Sequence, residues 1–226
     1  MTHIRYADRR EAGRLLAARL LAIGDRPDVV LGLAPGGVPV ALEIAIALAA
    51  PLDVFVVRPL PLPGDATATM GVIAAGGVRV LDRSTIAEHD VAPGVIDDVA
   101  RREAIELARL EQAYRAGRRA RKMTGRAILV ADDGLTPRAR WEGTVDALAA
   151  YRPARVIVAL PVASREVQDA VRRKVSRVAC LELLDDAEVT NVYPGDLEPI
   201  SARDVRASLA EAEEHRQKPR DRAALG

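Results

Sequence analysis

Apolar residues along the chain fall into short, unbroken runs separated by stretches with helical spacing. Five runs are brief and rich in β-branched residues: Val29 to Leu33, Val54 to Arg58, Ile128 to Asp132, Val156 to Leu160 and Val178 to Leu181. Runs of this kind suit strands buried on both faces. Between them, Val38 to Ala49, Arg138 to Ala150 and Arg165 to Val175 read as helices. Such alternation predicts parallel strands joined by crossover helices. The fold class is therefore α/β, a mainly parallel sheet of about five strands with flanking helices.

Two segments break the alternation. Arg58 to Gly77 is rich in Pro and Gly and reads as a long loop running into a hairpin over residues 72 to 81, with Gly76-Gly77 as its turn. Residues 95 to 118 read as one long helix with Ile96, Val99, Leu107, Leu110 and Tyr114 on a single stripe. Together, residues 59 to 118 would form a small hood over the sheet edge. Residues 1 to 215 form a single expected domain including this hood, and 216 to 226 an expected disordered tail.

The 226 residues can bury one sizeable core. A net charge of +1 provides no bulk attraction for nucleic acid or an anionic membrane, and 3% aromatic content argues against base-stacking platforms. No apolar stretch reaches the roughly 18 residues that span a bilayer, and the charged start MTHIRYADRREAGR lacks a signal-peptide core. A cytoplasmic protein with neither membrane nor nucleic-acid partners is expected. Cys180 is the only cysteine and reads as an inert core thiol. His3, His89 and His215 are scattered among polar residues and read as surface positions. Trp141 reads as a packing residue or as a platform for a nucleobase, and the basic run RAGRRARK (115 to 122) as a solvated helix end.

Ligands of open α/β sheets bind at the carboxyl ends of strands. That rule selects Leu33 to Gly37, Arg58 to Gly71, Asp132 to Arg140 and Leu160 to Ser164. Asp132-Asp133 is the sharpest feature: adjacent carboxylates there could accept hydrogen bonds from a sugar diol or hold a hydrated Mg²⁺. They could equally form a polar turn or an N-cap.

The stretch AILVADDGLTPRARWEGT (127 to 144) resembles the signature of type I phosphoribosyltransferases: a hydrophobic strand, two acids, then a loop leading into a helix. The chain is also similar to a bacterial group of phosphoribosyltransferases of about this length. That similarity runs in unbroken order through RYADRREAGRLLAARL, LGLAPGGVPVALEIA, VVRPLPLPGDATATMGVIAAGGVRVL and ILVADDGL to VYPGDLEPISARDV. The resemblance implies a ligand such as phosphoribosyl pyrophosphate (PRPP), or a related phosphorylated ribose or nucleotide. It also implies Mg²⁺ if the protein is active, and allows a homo-oligomer. Asp132 and Asp133 would meet the ribose hydroxyls. Gly134, Thr136, Arg138 and Arg140 would lie at the 5′-phosphate, and Gly36, Gly37 and Arg58 near the pyrophosphate. It assigns no catalytic residue and no direct metal ligand.

Three departures from that pattern stand out. Relatives continue the acid pair as Gly-Leu-Ala-Thr-Gly-Ala-Thr, where this chain has Gly134, Leu135, Thr136, Pro137, Arg138, Ala139 and Arg140. Pro137 donates no N–H and Arg138 adds bulk where glycine gave room. Thr136-Pro137 reads instead as an N-cap followed by proline in the first helical position, although a helix start with two arginines still attracts an anion. Pro35 stands where relatives have arginine, and Arg58-Pro59 where they have Arg-Lys; Arg58 could reach an anion or pair with Asp53 or Asp65. Losing two or three charged hydrogen bonds forfeits about 3–9 kcal/mol, or roughly two to six decades in affinity or rate. A catalytically degenerate regulatory or scaffold protein on the same fold is the alternative expectation.

Overall fold

Each apolar run becomes a strand because both of its faces are covered. The computed structural model describes residues 6–184, 192–196 and 198–224, without the side chains of 66, 67 and 218–224. Its main sheet contains β1 (Val29–Leu33), β2 (Leu52–Phe55), β6 (Ala127–Ala131), β7 (Arg155–Ser164) and β8 (Arg177–Leu184). All pairings are parallel, in the order β2-β1-β6-β7-β8. Alternate residues serve opposite layers. Val29, Leu31, Ile128 and Val130 pack with Trp141, Val145 and Val171 from α5 (Arg138–Ala150) and α6 (Arg165–Arg172). Val30, Leu129 and Ala131 pack on the other side with α1 (Arg9–Ile23), α2 (Gly37–Ala47), α4 (Pro93–Arg115) and α7 (Ala202–Ala224). The expected α/β class, parallel five-stranded sheet and flanking helices are all present.

α1 has no counterpart among the helices predicted from periodicity, because apolar residues lie on both of its sides: Leu16 and Leu20 are buried while Leu15, Leu21 and Ile23 are exposed. Local chemistry fixes its ends. Asp8 accepts from Glu11 N at 2.6 Å, the Glu11 carboxylate accepts from Ala7 N at 2.5 Å, and Gly24 closes the helix in the left-handed region.

The expected long loop after Arg58 is instead a second, antiparallel sheet: β3 (Val57–Leu62), β4 (Asp65–Ala74) and β5 (Val78–Leu81), in that order. The predicted strand Val54–Arg58 is thus divided between two sheets. Pro59 and Pro61 are tolerated because β3 is an edge strand, which needs no ladder donor on its open side. The Gly76-Gly77 turn is as expected, with φ of 67° and 77°. α3 (Arg83–Glu88) follows, then α4, whose Ile96, Val99, Leu107 and Tyr114 are buried. α4 ends with Ala116 in the left-handed region, short of residue 118.

β7 also differs from expectation, continuing through Pro161 to Ser164. The Pro161 carbonyl points away from β8 and accepts from Tyr6 Oη at 3.3 Å. β6 has already ended on that side, so the missing N–H leaves no ladder bond unmade. Among the described residues no helix is long and apolar enough to cross a membrane.

Candidate functional site: the acid pair at the end of the central strand

Asp132 and Asp133 directly follow β6, the middle strand of the main sheet. Both are buried, 2% and 5% exposed. Their neighbours on one side are Gly36 and Gly37, where β1 turns into α2. A Cβ on Gly37 would come within 2.7 Å of Asp132 Cα, and one on Gly36 would overlap the Asp133 carboxylate. The two glycines are therefore required by close approach to the acid pair. On the other side Gly134, at φ 88°, lies against the Val162 carbonyl of β7. The peptide between Ala34 and Pro35 is cis.

The two carboxylates have different surroundings. Asp133 Oδ1 accepts from Leu135 N at 3.1 Å and Oδ2 from Arg9 Nε at 3.0 Å. Arg9 also pairs with Asp196 at 2.9 Å and lies over the Tyr193 ring, 5.2 Å from its centroid. The Tyr193 hydroxyl in turn donates to the Asp133 carbonyl at 2.7 Å. Asp132 makes no ion pair among the described residues; its Oδ2 accepts from Gly134 N at 3.3 Å. Burial, then the charge of Asp133, pushes the Asp132 carboxyl up to about 7.

The loop after the acids is reshaped. The structure places Pro137, not Thr136, at the N-cap, and α5 begins at Arg138. Pro137 caps without a side-chain hydrogen bond, so the expected Thr136 cap is not used. The two arginines of the first turn diverge. Arg138 is directed outward, pairing with Glu142 at 2.9 Å and Glu166 at 3.7 Å. Arg140 is directed inward: Nη2 donates to the Val57 carbonyl at 3.0 Å and buried Nε has no partner. Burial holds its guanidinium below its ordinary value, offset by Asp132 and Asp133 and reinforced by Arg58. Arg58 pairs with Glu103 of α4 at 2.6 Å. Asp53, one partner expected for Arg58, is held instead by Arg115 Nε at 3.2 Å and Arg121 N at 2.6 Å. Arg115 is therefore part-buried in a bridge, while residues 116–122 of the basic run are exposed, as a solvated helix end requires.

Sequence reasoning missed Arg9, Tyr193, Asp196 and Glu103. The first three lie in the outermost of the resembling segments, and no local spacing links residues so far apart. The D-x-x-E box at Asp8 would have located the helix start that carries Arg9. Trp141 is fully buried, as a packing residue. Cys180 is half-buried, its thiol pushed up to about 11 chiefly by burial. His89 and His215 are exposed; His3 lies outside the described residues.

Residues 6–198 match the family of phosphoribosyl transferase domains. Two Mycobacterium tuberculosis proteins, from strains H37Rv and CDC 1551, are provisionally named phosphoribosyl transferases; each is 36% identical over 176 residues, 78% of this chain. The chain spans 40% of the length of these curated relatives. The crystal structure of TT1426 from Thermus thermophilus is similar with a TM-score of 0.79 and 34% identity, covering 92% of this chain and 99% of that one.

Proposed function

Because the chain belongs to the phosphoribosyl transferase family, we propose that the strand end carrying Asp132 and Asp133 binds PRPP or a related phosphorylated ribose or nucleotide. Transfer of the phosphoribosyl group is the activity that this site would support. In that reaction the bond from the anomeric carbon to pyrophosphate breaks as an acceptor's lone pair forms a new bond there. The bonding electrons leave with pyrophosphate.

The observation that carries this reading is the pairing of buried acids with a glycine turn at the carboxyl end of the sheet, the position where open α/β sheets take ligands. The acid pair forms the end of the site that meets the ribose, with Asp132 offering the freer carboxylate. The Gly36-Gly37 turn lets backbone approach the pyrophosphate closely, and Arg58 and Arg140 supply positive charge. Of the two first-turn arginines, Arg140 takes the 5′-phosphate role, since it is directed inward to the Val57 carbonyl while Arg138 is exposed. The acid pair offers only oxygen donors, the kind a hard divalent cation takes, although no group of three or more acidic, histidine or cysteine ligands occurs among the described residues. Mg²⁺, when bound with PRPP, would neutralise charge on the departing pyrophosphate.

A second reading is a regulatory or scaffold protein without turnover. It is favoured by Pro137, which offers no N–H to a phosphate, and by the Arg9–Asp133 ion pair, which occupies one acid. Calorimetric titration of PRPP with Mg²⁺ into the wild-type chain and the Asp132→Asn/Asp133→Asn variant separates the two. Binding by the wild type that is lost in the variant supports the first reading. Absence of heat from both supports the second.

A further inference from the structure

Adjacent acids at a ligand site are usually treated as one unit, but the contacts here are lopsided. Asp133 has both oxygens committed inside the protein, to Leu135 N and to Arg9 Nε. Its carboxylate also abuts Gly36 with no space for a methyl group between them. Its backbone carbonyl is taken by Tyr193. Arg9 in turn is held by Asp196 and by the Tyr193 ring, and its side chain is 12% exposed against 7% for Asp133. Freeing Asp133 for a sugar would break a largely buried ion pair and leave the Asp133 carboxylate without its cation, while Arg9 would keep Asp196. Among the described residues Asp132 has no such tie: its Oδ2 accepts a long hydrogen bond from Gly134 N at 3.3 Å.

We propose that Arg9 is a positioning residue that locks Asp133 as a brace for the Gly36-Gly37 turn, leaving Asp132 alone to meet the ribose. This deepens the functional reading above and rests on it for the identity of the ligand. The brace itself joins segments from the two ends of the chain, Ala7 to Arg9 and Tyr193 to Asp196, to the central strand and the glycine turn. Arg9 acts on the ligand only through Asp133. A substitution at position 9 therefore changes the site's preorganisation without removing a ligand contact.

The test uses four variants: Arg9→Met, Asp133→Asn, the double variant of both, and Asp132→Asn. Melting is measured without ligand. Each single brace variant should melt roughly 6–20 °C below wild type, and the double variant above the sum of the two losses, because the first substitution already removes the interaction that the second would break. PRPP affinity with Mg²⁺ should fall at least about tenfold further in Asp132→Asn than in the double variant. In Asp133→Asn, ¹³C NMR of the Asp132 carboxyl should show its protonation midpoint moved down, since a neighbouring charge is gone; a purely structural change would not move it in that sense. Strictly additive melting losses would overturn the brace. A double variant that loses as much PRPP affinity as Asp132→Asn would overturn the division between the acids. Failure of the wild type to bind PRPP would overturn the functional reading, while the ligand-free melting and NMR comparisons would still decide the brace.

Discussion

Gly36 packs against the Asp133 carboxylate so closely that any Cβ at position 36 would overlap Oδ2. The turn out of β1 and the acids after β6 are therefore one construction, although Asp133 lies 97 positions after Gly36 in the chain. Glycine here reflects packing against charge, since the backbone at Gly36 is ordinary right-handed helical, φ −61° and ψ −36°.

Gly36→Ala should be destabilising by about 1–3 kcal/mol, because the carboxylate it meets is fixed by Arg9 and Leu135 N and cannot retreat. Gly94→Ala, in the first turn of α4 with open space around it, should be neutral or stabilising by roughly 0.5–1 kcal/mol. Thermal melts of the two variants test this; equal melting temperatures would refute it.

The raised Asp132 carboxyl predicts a pH-dependent strain. Its folded value of about 7 lies above the ordinary 3.8, so between those values the folded state holds a proton that the unfolded chain releases. Stability from this group is full below the ordinary value and is lost as pH rises through about 7. Asp132→Asn, which mimics the protonated acid, should match wild type near pH 4 and exceed it at pH 8, by at most about 4 kcal/mol. Denaturant melts across that range measure the gap, and a gap that widens towards acid would contradict the assignment.

The two arginines of the α5 first turn should behave differently. Arg138→Ala should leave melting and PRPP affinity unchanged, because its guanidinium only meets surface carboxylates. Arg140→Met should leave the fold at least as stable, since it removes a buried charge with an unpartnered Nε, yet weaken PRPP binding about tenfold or more. Calorimetry on both variants reads the contrast directly.

Glu103 of α4 holds Arg58 of β3 at 2.6 Å. Glu103→Gln should release that guanidinium for an incoming anion and tighten PRPP binding by about tenfold at low salt, less at high salt. Weaker binding in this variant would show that Glu103 orients Arg58 instead of restraining it.

Much of this arrangement is legible in the chain, for identifiable reasons. Val29–Leu33 and Arg138–Ala150 match their predicted spans because a doubly buried strand needs an unbroken apolar run and Pro137 marks the helix start. The acid pair is legible because it ends such a run. The hood sheet is not, since Pro59 and Pro61 read as breakers until β3 is known to be an edge strand. The continuation of β7 past Pro161 is hidden for the same reason. Arg9 and Tyr193 are invisible to periodicity because they converge on Asp133 from opposite ends of the sequence. The outward and inward turns of Arg138 and Arg140 are set by what lies around α5, Glu142 and Glu166 on one side and the Val57 carbonyl on the other.

The most direct test is a crystal structure of the chain with PRPP and Mg²⁺ bound. The account predicts ribose hydroxyls within hydrogen-bonding distance of Asp132, with Asp133 still paired to Arg9. Ribose density at any other strand end, or none at saturating PRPP, would contradict it.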